Sequence, residues 1–148
     1  MLFERIQADL RDAQLQREEV KISALRMLLS EIHNAQIAKS QELSEPDLVG
    51  IIQKEIKKRK EAVFGFRQGG REESALKEEK EAEILASYLP KQLSDSELES
   101  IIDEAISQTG ATQISDMGKV IGVIMGKVAG QADGGRVSGL VKEKLGRG

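Results

Sequence analysis

The chain has 148 residues with two prolines, no cysteine and a formal net charge of -3. The missing cysteines exclude disulfides, thiolate nucleophiles and cysteine-ligated metals, and the net negative charge argues against a generic nucleic-acid-binding protein. Abundant Glu, Lys, Leu, Ile and Ala, with 3% aromatic residues, predict an all-helical protein, because straight-chain residues lose little rotamer freedom in a helix.

The first residues, M-L-F-E-R, lack the uninterrupted apolar segment of a secretory signal peptide. No apolar run approaches the roughly 18 to 20 residues that span a bilayer. We therefore expect a cytoplasmic protein with no membrane partner.

Apolar spacings of three and four residues predict two helices at the start of the chain. The first runs from Leu2 to about Glu18, and the second follows a weak boundary near Glu19 and continues to about Lys39. Their apolar stripes are expected to form core, and they contain the following residues: Phe3, Ile6, Leu10, Ala13, Ile22, Leu25, Leu28, Leu29 and Ile32.

A third helix is predicted to begin after Ser44, which can cap it, with Pro46 in its first turn. This helix stops at Gly69-Gly70 and contains the basic run K-E-I-K-K-R-K at 54–60. The acidic run at 72–83 opens a fourth helix, which reaches Tyr88. We expect the basic run to be a solvated face beside the acidic helix, with exposed ion pairs that contribute little to stability.

Pro90 marks a predicted domain boundary, because the residue before proline is disfavoured in a helix. We expect about four helices in residues 1–90 and a small three-helix domain in residues 91–148. Ser94 and Glu97 form a predicted capping box for the fifth helix. Ser115 or Asp116 is expected to cap the sixth helix, and Asp133 the seventh.

The segment 117–145 departs from the rest of the chain in two respects. It is rich in glycine, and residues 117–148 hold six basic and two acidic side chains against 16 and 23 in the remainder. Gly118, Gly122, Gly126 and Gly130 fall opposite an apolar face on a helical wheel. Since each interior glycine costs about 1 kcal/mol relative to alanine, we expect a close approach here, either by another helix of the protein or by the backbone of a ligand.

Gly134 and Gly135 open the seventh helix without side chains over its first turn, beside Arg136. Exposed amides and the positive end of the helix dipole suit a phosphate group. Asp133 opposes this reading, because a capping carboxylate uses one of the amides and repels anions.

The run M-G-K-V-I-G-V-I-M-G-K-V-A-G-Q-A-D-G-G-R-V resembles the tail domain of the GatB/YqeY family. The upstream segments A-L-R-M-L-L-S-E-I, Q-K-E-I-K-K-R-K-E-A and Y-L-P-K-Q-L-S resemble the stand-alone YqeY proteins over the whole chain. Two positions depart from the family pattern: Gly126 stands where proline is expected, and Gln131 where a basic residue is common.

The resemblance implies a tail that contacts tRNA, as in the B subunit of the tRNA-dependent amidotransferase. It implies the nucleic-acid-binding residues Lys119, Lys127, Arg136 and Lys142. The glycines expected to allow close backbone approach are Gly122, Gly126, Gly130, Gly134 and Gly135.

Three functions remain open. The first, which we favour, is a non-catalytic accessory protein that binds tRNA or another structured RNA. Proteins that bind single strands stack bases on aromatic side chains, and the tail has none, so structured RNA recognised by shape and phosphate fits better than a single strand. The second is participation in a glutamine-dependent amidotransferase, a carbon-nitrogen ligase, or in aminoacyl-tRNA machinery. The third is a helical adaptor for another protein. We expect no cofactor, no metal and no catalytic residue, since His33 fits a surface position; Glu55 and Glu61 fit ion pairs with nearby lysines. The sequence leaves the oligomeric state open.

Overall fold

The computed structural model describes residues 1–146. The prediction of an all-helical protein is confirmed: seven α-helices and one short 3-10 helix occupy the described residues, which contain no strand. The helices divide into two compact units, of which the first is Met1–Leu89 and the second begins at Pro90.

The first unit contains four helices. They are α1 (Leu2–Gln16), α2 (Glu19–Lys39), α3 (Glu45–Gln68) and α4 (Glu72–Ala86). The predicted ends of the first and fourth helices are each two residues too late. α1 ends because Arg17 takes a left-handed conformation with φ of 57°, a region that breaks helical hydrogen bonding.

Ser44 caps α3 as predicted. Its hydroxyl accepts a hydrogen bond from the Asp47 amide at 3.2 Å, and the Asp47 carboxylate accepts one from the Ser44 amide at 3.0 Å. Lys39 Nζ lies 2.6 Å from the same carboxylate. The hydrogen bond from Lys39, followed by those from Ser44, lowers the pKa of Asp47 to about 2.

The core of the first unit gathers residues from all four helices. Most of the predicted apolar stripe residues lie in it or against it, whereas Ala13 and Ile22 do not belong to this cluster. Its buried members are Ile6, Leu25, Leu28, Ile32, Leu48, Ile52, Ile56, Ala82, Leu85 and Tyr88. Tyr88 donates a hydrogen bond from its hydroxyl to the Asp9 carboxylate, and the Arg5 guanidinium lies 4.8 Å from the centre of its ring. These contacts place Tyr88 inward, just beyond the end of α4.

A charged cluster is buried between α3 and α4. Glu55, Arg59 and Glu81 are each 3–4% exposed. Arg59 Nη1 donates to Glu55 Oε2 at 2.9 Å, and Arg59 Nε lies 3.5 Å from Glu81 Oε2. Two carboxylates therefore share one guanidinium, and the charges offset one another where water does not reach them.

The second unit contains α5 (Asp95–Thr109), a 3-10 helix (Ile114–Asp116), α6 (Met117–Val128) and α7 (Gly134–Gly146). The sequence reading did not predict the 3-10 helix. Asp116 precedes α6 but does not cap it with its side chain. Its carboxylate accepts from the amides of Thr112 and Gln113, at 3.1 and 3.2 Å, which closes the preceding turn.

The capping box predicted for α5 forms only in part. The Ser94 hydroxyl accepts from the Glu97 amide at 3.2 Å, but the same hydroxyl also lies 3.0 Å from Glu97 Oε1. The core of this unit is aliphatic, with the buried residues Leu98, Ile102, Ala105, Ala111, Val120, Ile124, Val128, Ala132, Val137, Val141 and Leu145.

Candidate nucleic-acid interface

α6 has one buried side and one bare side. Val120, Ile124 and Val128 are fully buried in the core of the second unit. Gly118, Lys119, Gly122 and Gly126 are exposed on the other side, and we call these four residues the glycine face. The separation follows from helical periodicity, since residues three and four apart share a side.

The glycine face is open space. A Cβ atom added at Gly118, Gly122 or Gly126 would meet no other atom within 4 Å. Within the second unit, therefore, no helix packs on this face, and the expectation of a closely packed helix finds no support in this unit. The helix carries a cost of about 1 kcal/mol per interior glycine without an internal contact that offsets it.

Gly130 has a different role, because it ends α6. Ala129 and Gly130 both have positive φ, at 39° and 86°, and glycine adopts this region without a steric penalty. The carbonyl of Gly130 accepts a hydrogen bond from Gln92 Nε2 at 3.0 Å, and Leu93 N donates to the Gln131 carbonyl at 2.9 Å. Gly130 therefore shapes a turn that is bonded to the segment before α5.

The start of α7 is covered in part by its own carboxylate. A Cβ at Gly135 would lie 3.3 Å from Asp133 Oδ2, and one at Gly134 would lie 3.9 Å from Met125 Cε. The Asp133 carboxylate thus lies beside the first turn, where the sequence reading placed a possible phosphate. Its negative charge disfavours an anion at this helix start.

Arg136 bonds within its own unit. Its Nε lies 3.1 Å from Asp95 Oδ1, and its Nη1 donates to the Leu93 carbonyl at 2.8 Å. These bonds tie α7 to the beginning of α5. A phosphate would have to compete with a carboxylate for this guanidinium, so Arg136 has a structural role that the sequence motif did not reveal.

The three lysines of the predicted interface differ in their surroundings. Lys127 Nζ lies 3.2 Å from Gln108 Oε1 and 3.9 Å from the Glu104 carboxylate on α5. Lys119 and Lys142 are exposed, and neither forms an ion pair with any residue up to 146. The charge of Lys119 nevertheless acts on the Asp116 carboxylate, whose pKa is lowered by hydrogen bonds from the Thr112 and Gln113 amides and then by Lys119. These two cations of α6 and α7 are therefore available to an external anion.

A groove on the first unit is lined by aliphatic and charged side chains. It lies between α3 and α4, has a volume of about 510 Å³, and is lined by Ile56, Lys60, Val63, Glu79, Ala82, Glu83 and Ala86. Its walls contain no hydroxyl, thiol or imidazole group.

His33 is exposed on α2, and the described residues contain no cluster of three or more His, Asp or Glu side chains able to hold a metal ion.

Glu55 and Glu61 are not a pair of free acids. Glu55 forms the expected ion pair with a lysine, Lys58, and is also buried against Arg59. Glu61 is exposed and forms no ion pair within residues 1–146, contrary to the expectation. Within residues 1–146, no helix is both long and apolar enough to cross a membrane.

A family model described as Yqey-like protein matches residues 3–145. The chain belongs to the YqeY-like family. The relative in Vanderwaltozyma polyspora, named altered inheritance of mitochondria protein 41, mitochondrial, is 29% identical over 120 residues, which cover 76% of this YqeY-like chain and 64% of the relative. The protein of the same name in Pyrenophora tritici-repentis is 27% identical over 150 residues, covering 99% and 82%. That of Saccharomyces cerevisiae strain YJM789 is 31% identical over 104 residues, covering 70% and 55%.

The expected cytoplasmic location is contradicted by these relatives, which are all named as mitochondrial proteins. The expectation rested on the lack of an apolar leader. Mitochondrial transit peptides are amphipathic rather than apolar, so the lack of an apolar leader does not exclude a mitochondrial location.

Proposed function

We propose that the second unit of this YqeY-like protein binds structured RNA, with tRNA as the first candidate, and that the protein acts as a non-catalytic accessory factor. The observation that carries the proposal is the glycine face, which is uncovered by the rest of its unit and carries the exposed Lys119. The resemblance of the tail to that of the tRNA-dependent amidotransferase supports the choice of RNA.

The absence of side chains lets another backbone lie closer to α6 than any larger residue would permit, as small residues do where helices cross. A sugar-phosphate strand can use this space, while Lys119 and Lys142 meet its charges. No Phe, Tyr or Trp occurs after Tyr88, so this unit offers no aromatic surface for unpaired bases. Recognition by shape and phosphate follows, as in proteins that bind double-stranded RNA.

The expected affinity is modest and depends on salt. Since each neutralised phosphate contributes about 0.7 to 0.9 to the slope of log affinity against log salt, two lysines contribute a slope of roughly 1.4 to 1.8. Binding should therefore be measured at low ionic strength and then across a salt series.

The test is tRNA binding by the full chain, measured by fluorescence anisotropy, with Lys119→Glu and Lys142→Glu combined. The matched control is Lys77→Glu with Lys80→Glu, two exposed lysines of α4 that give the same change in net charge. Arg136 is left intact because its replacement would break the bonds to Asp95 and Leu93. The proposal requires that the first variant lose most of its affinity while the control keeps it; equal affinity of both variants would reject it.

The glycine face also fits a helix of another protein, which is the adaptor function. Copurification from nuclease-treated and untreated extracts separates the two. A partner that persists at full yield after nuclease treatment, together with no tRNA binding, would favour the adaptor. Glutamine-dependent ammonia transfer by the purified chain would instead favour a part in an amidotransferase.

A further inference from the structure

We infer that α3 provides a second RNA contact surface in the first unit. The inference rests on the proposed function, because it assigns a further part of the same RNA to this chain. The surface consists of Gly50, Lys54, Lys57, Lys58, Glu61, Phe64 and Gly65, which are all exposed and lie within about 120° of the helical wheel. We call it the lysine face.

The basic residues of α3 are divided between two sides of the helix. Arg59 and Arg67 face α4: Arg59 is buried beside Glu81, and Arg67 Nη1 lies 2.6 Å from the Glu79 carboxylate. Arg67 also pairs with Glu72, at 3.2 Å. The acidic neighbour expected from the sequence is therefore engaged by arginines and not by the lysines of the lysine face.

The lysines remain largely uncompensated. Lys54 and Lys57 form no ion pair with the described part of the chain, and Lys58 Nζ lies 3.3 Å from Glu55 Oε1, whose second oxygen is held by Arg59. Glu61 is the single acid of the face. Lys58 is about half exposed while Glu55 is buried, and Glu55 keeps its bond to Arg59 if Lys58 turns to a phosphate.

The lysines are close enough to act together. Lys54 and Lys58 are separated by four residues, or about 6 Å along the helix axis, and Lys57 lies between them. The three ammonium groups thus concentrate positive charge within about one helical turn. Such a cluster attracts a polyanion more strongly than three scattered lysines would.

The remaining residues favour RNA over a lipid surface. A Cβ at Gly50 or Gly65 would meet nothing within 4 Å, so the ends of the face are open to a bulky polymer. Phe64 is 66% exposed and offers a ring on which an unpaired base can stack. A membrane-surface helix needs a continuous apolar side, whereas the apolar side of α3 is used in the core, through Leu48, Ile52 and Ile56.

The experiment measures tRNA affinity of the full chain across a salt series. Replacing Lys54, Lys57 and Lys58 by glutamine removes three charges without reversing any. Because each phosphate contact contributes about 0.7 to 0.9 to the slope of log affinity against log salt, we expect the slope to fall by roughly 2 to 3. Phe64→Ala should weaken binding to a tRNA with an accessible loop, and should leave binding to a blunt RNA duplex unchanged.

The matched control replaces Arg11, Lys77 and Lys80 by glutamine. These exposed residues lie in α1 and α4 and give the same change in charge. Circular dichroism spectra and melting curves verify that both triple variants remain folded. The control should keep the slope of the parent chain.

The outcomes separate this inference from the proposed function. If the Lys119→Glu, Lys142→Glu variant loses binding while the lysine-face variant keeps the parent slope, the lysine face is rejected and the proposed function stands. If only the lysine-face variant changes, the inference stands and the role of the second unit is rejected. No tRNA binding by the parent chain rejects both. Binding of anionic phosphatidylserine vesicles that depends on the three lysines, without tRNA binding, assigns the face to membranes and also rejects the inference.

Discussion

Replacing Gly122 and Gly126 by alanine should make the second unit more stable. Both positions lie inside α6 with negative φ, and an added Cβ would meet no atom within 4 Å. The change therefore gains helical propensity and reduces the freedom of the unfolded chain, by about 1 kcal/mol per site. If the two propensity gains add, the double variant should gain about 2 kcal/mol in the free energy of unfolding.

Hydrogen exchange of the backbone amides in α5, α6 and α7 measures this gain where it occurs. Two units in one chain need not unfold together, so a global melting curve could hide the effect. A gain of about 2 kcal/mol slows exchange through the opening of this unit by roughly 30-fold. Gly65→Ala provides a control, since this open site on α3 should slow exchange in the first unit only.

Gly130→Ala should have the opposite effect on the second unit. Its φ of 86° lies in the region that side chains disfavour, at a cost of about 1 to 2 kcal/mol.

Faster exchange in the Gly122→Ala, Gly126→Ala variant would refute the reasoning, because it would mean that something packs on the glycine face. If the proposed function holds, the same variant should bind tRNA more weakly although it is more stable.

Three further predictions concern individual side chains. Arg59→Ala should lower the free energy of unfolding by about 3 to 5 kcal/mol, because two buried carboxylates lose their shared cation; a loss below about 1 kcal/mol in urea unfolding would contradict this. Tyr88 is the only tyrosine, so tyrosinate absorbance should report its pKa, which burial and then the Asp9 carboxylate raise. Because the folded protein holds the phenol proton more tightly than the unfolded chain, this stabilisation should be present below the usual pKa of 10.0 and decline as the pH rises above it. Tyr88→Phe should remove that decline. Asp95→Ala should release Arg136 and strengthen tRNA binding if the guanidinium can reach RNA; unchanged affinity in anisotropy measurements would confine Arg136 to a structural role.

The helices and their buried sides were predictable because both depend on local sequence. Residues three or four apart share a side of a helix whatever surrounds it, so Ile6, Leu25, Leu28 and Ile32 could be assigned to the core in advance. The cap at Ser44 was predictable for the same reason, since its partner is three residues away. The glycines of α6 could likewise be placed opposite its apolar stripe, and the structure has them exposed.

The partners of charged side chains could not be predicted, because they depend on which helices meet. Arg136 was assigned to RNA on its motif, yet Asp95, 41 residues earlier, holds it. Within the run at 54–60, Arg59 is buried while Lys54 and Lys57 remain exposed and unpaired among residues 1–146.

The sequence by itself determined the helices, their apolar sides, the glycine-rich character of α6 and the membership of the YqeY-like family. Only the tertiary structure decided that the glycine face is uncovered within its unit, that Arg136 is bonded to Asp95, and that the arginines of α3 pair with carboxylates of α4. The physical reason is that hydrogen bonds and side-chain periodicity within a helix act over a few residues. Burial and ion pairing join residues that are distant in the sequence, and they take effect only once the helices have packed.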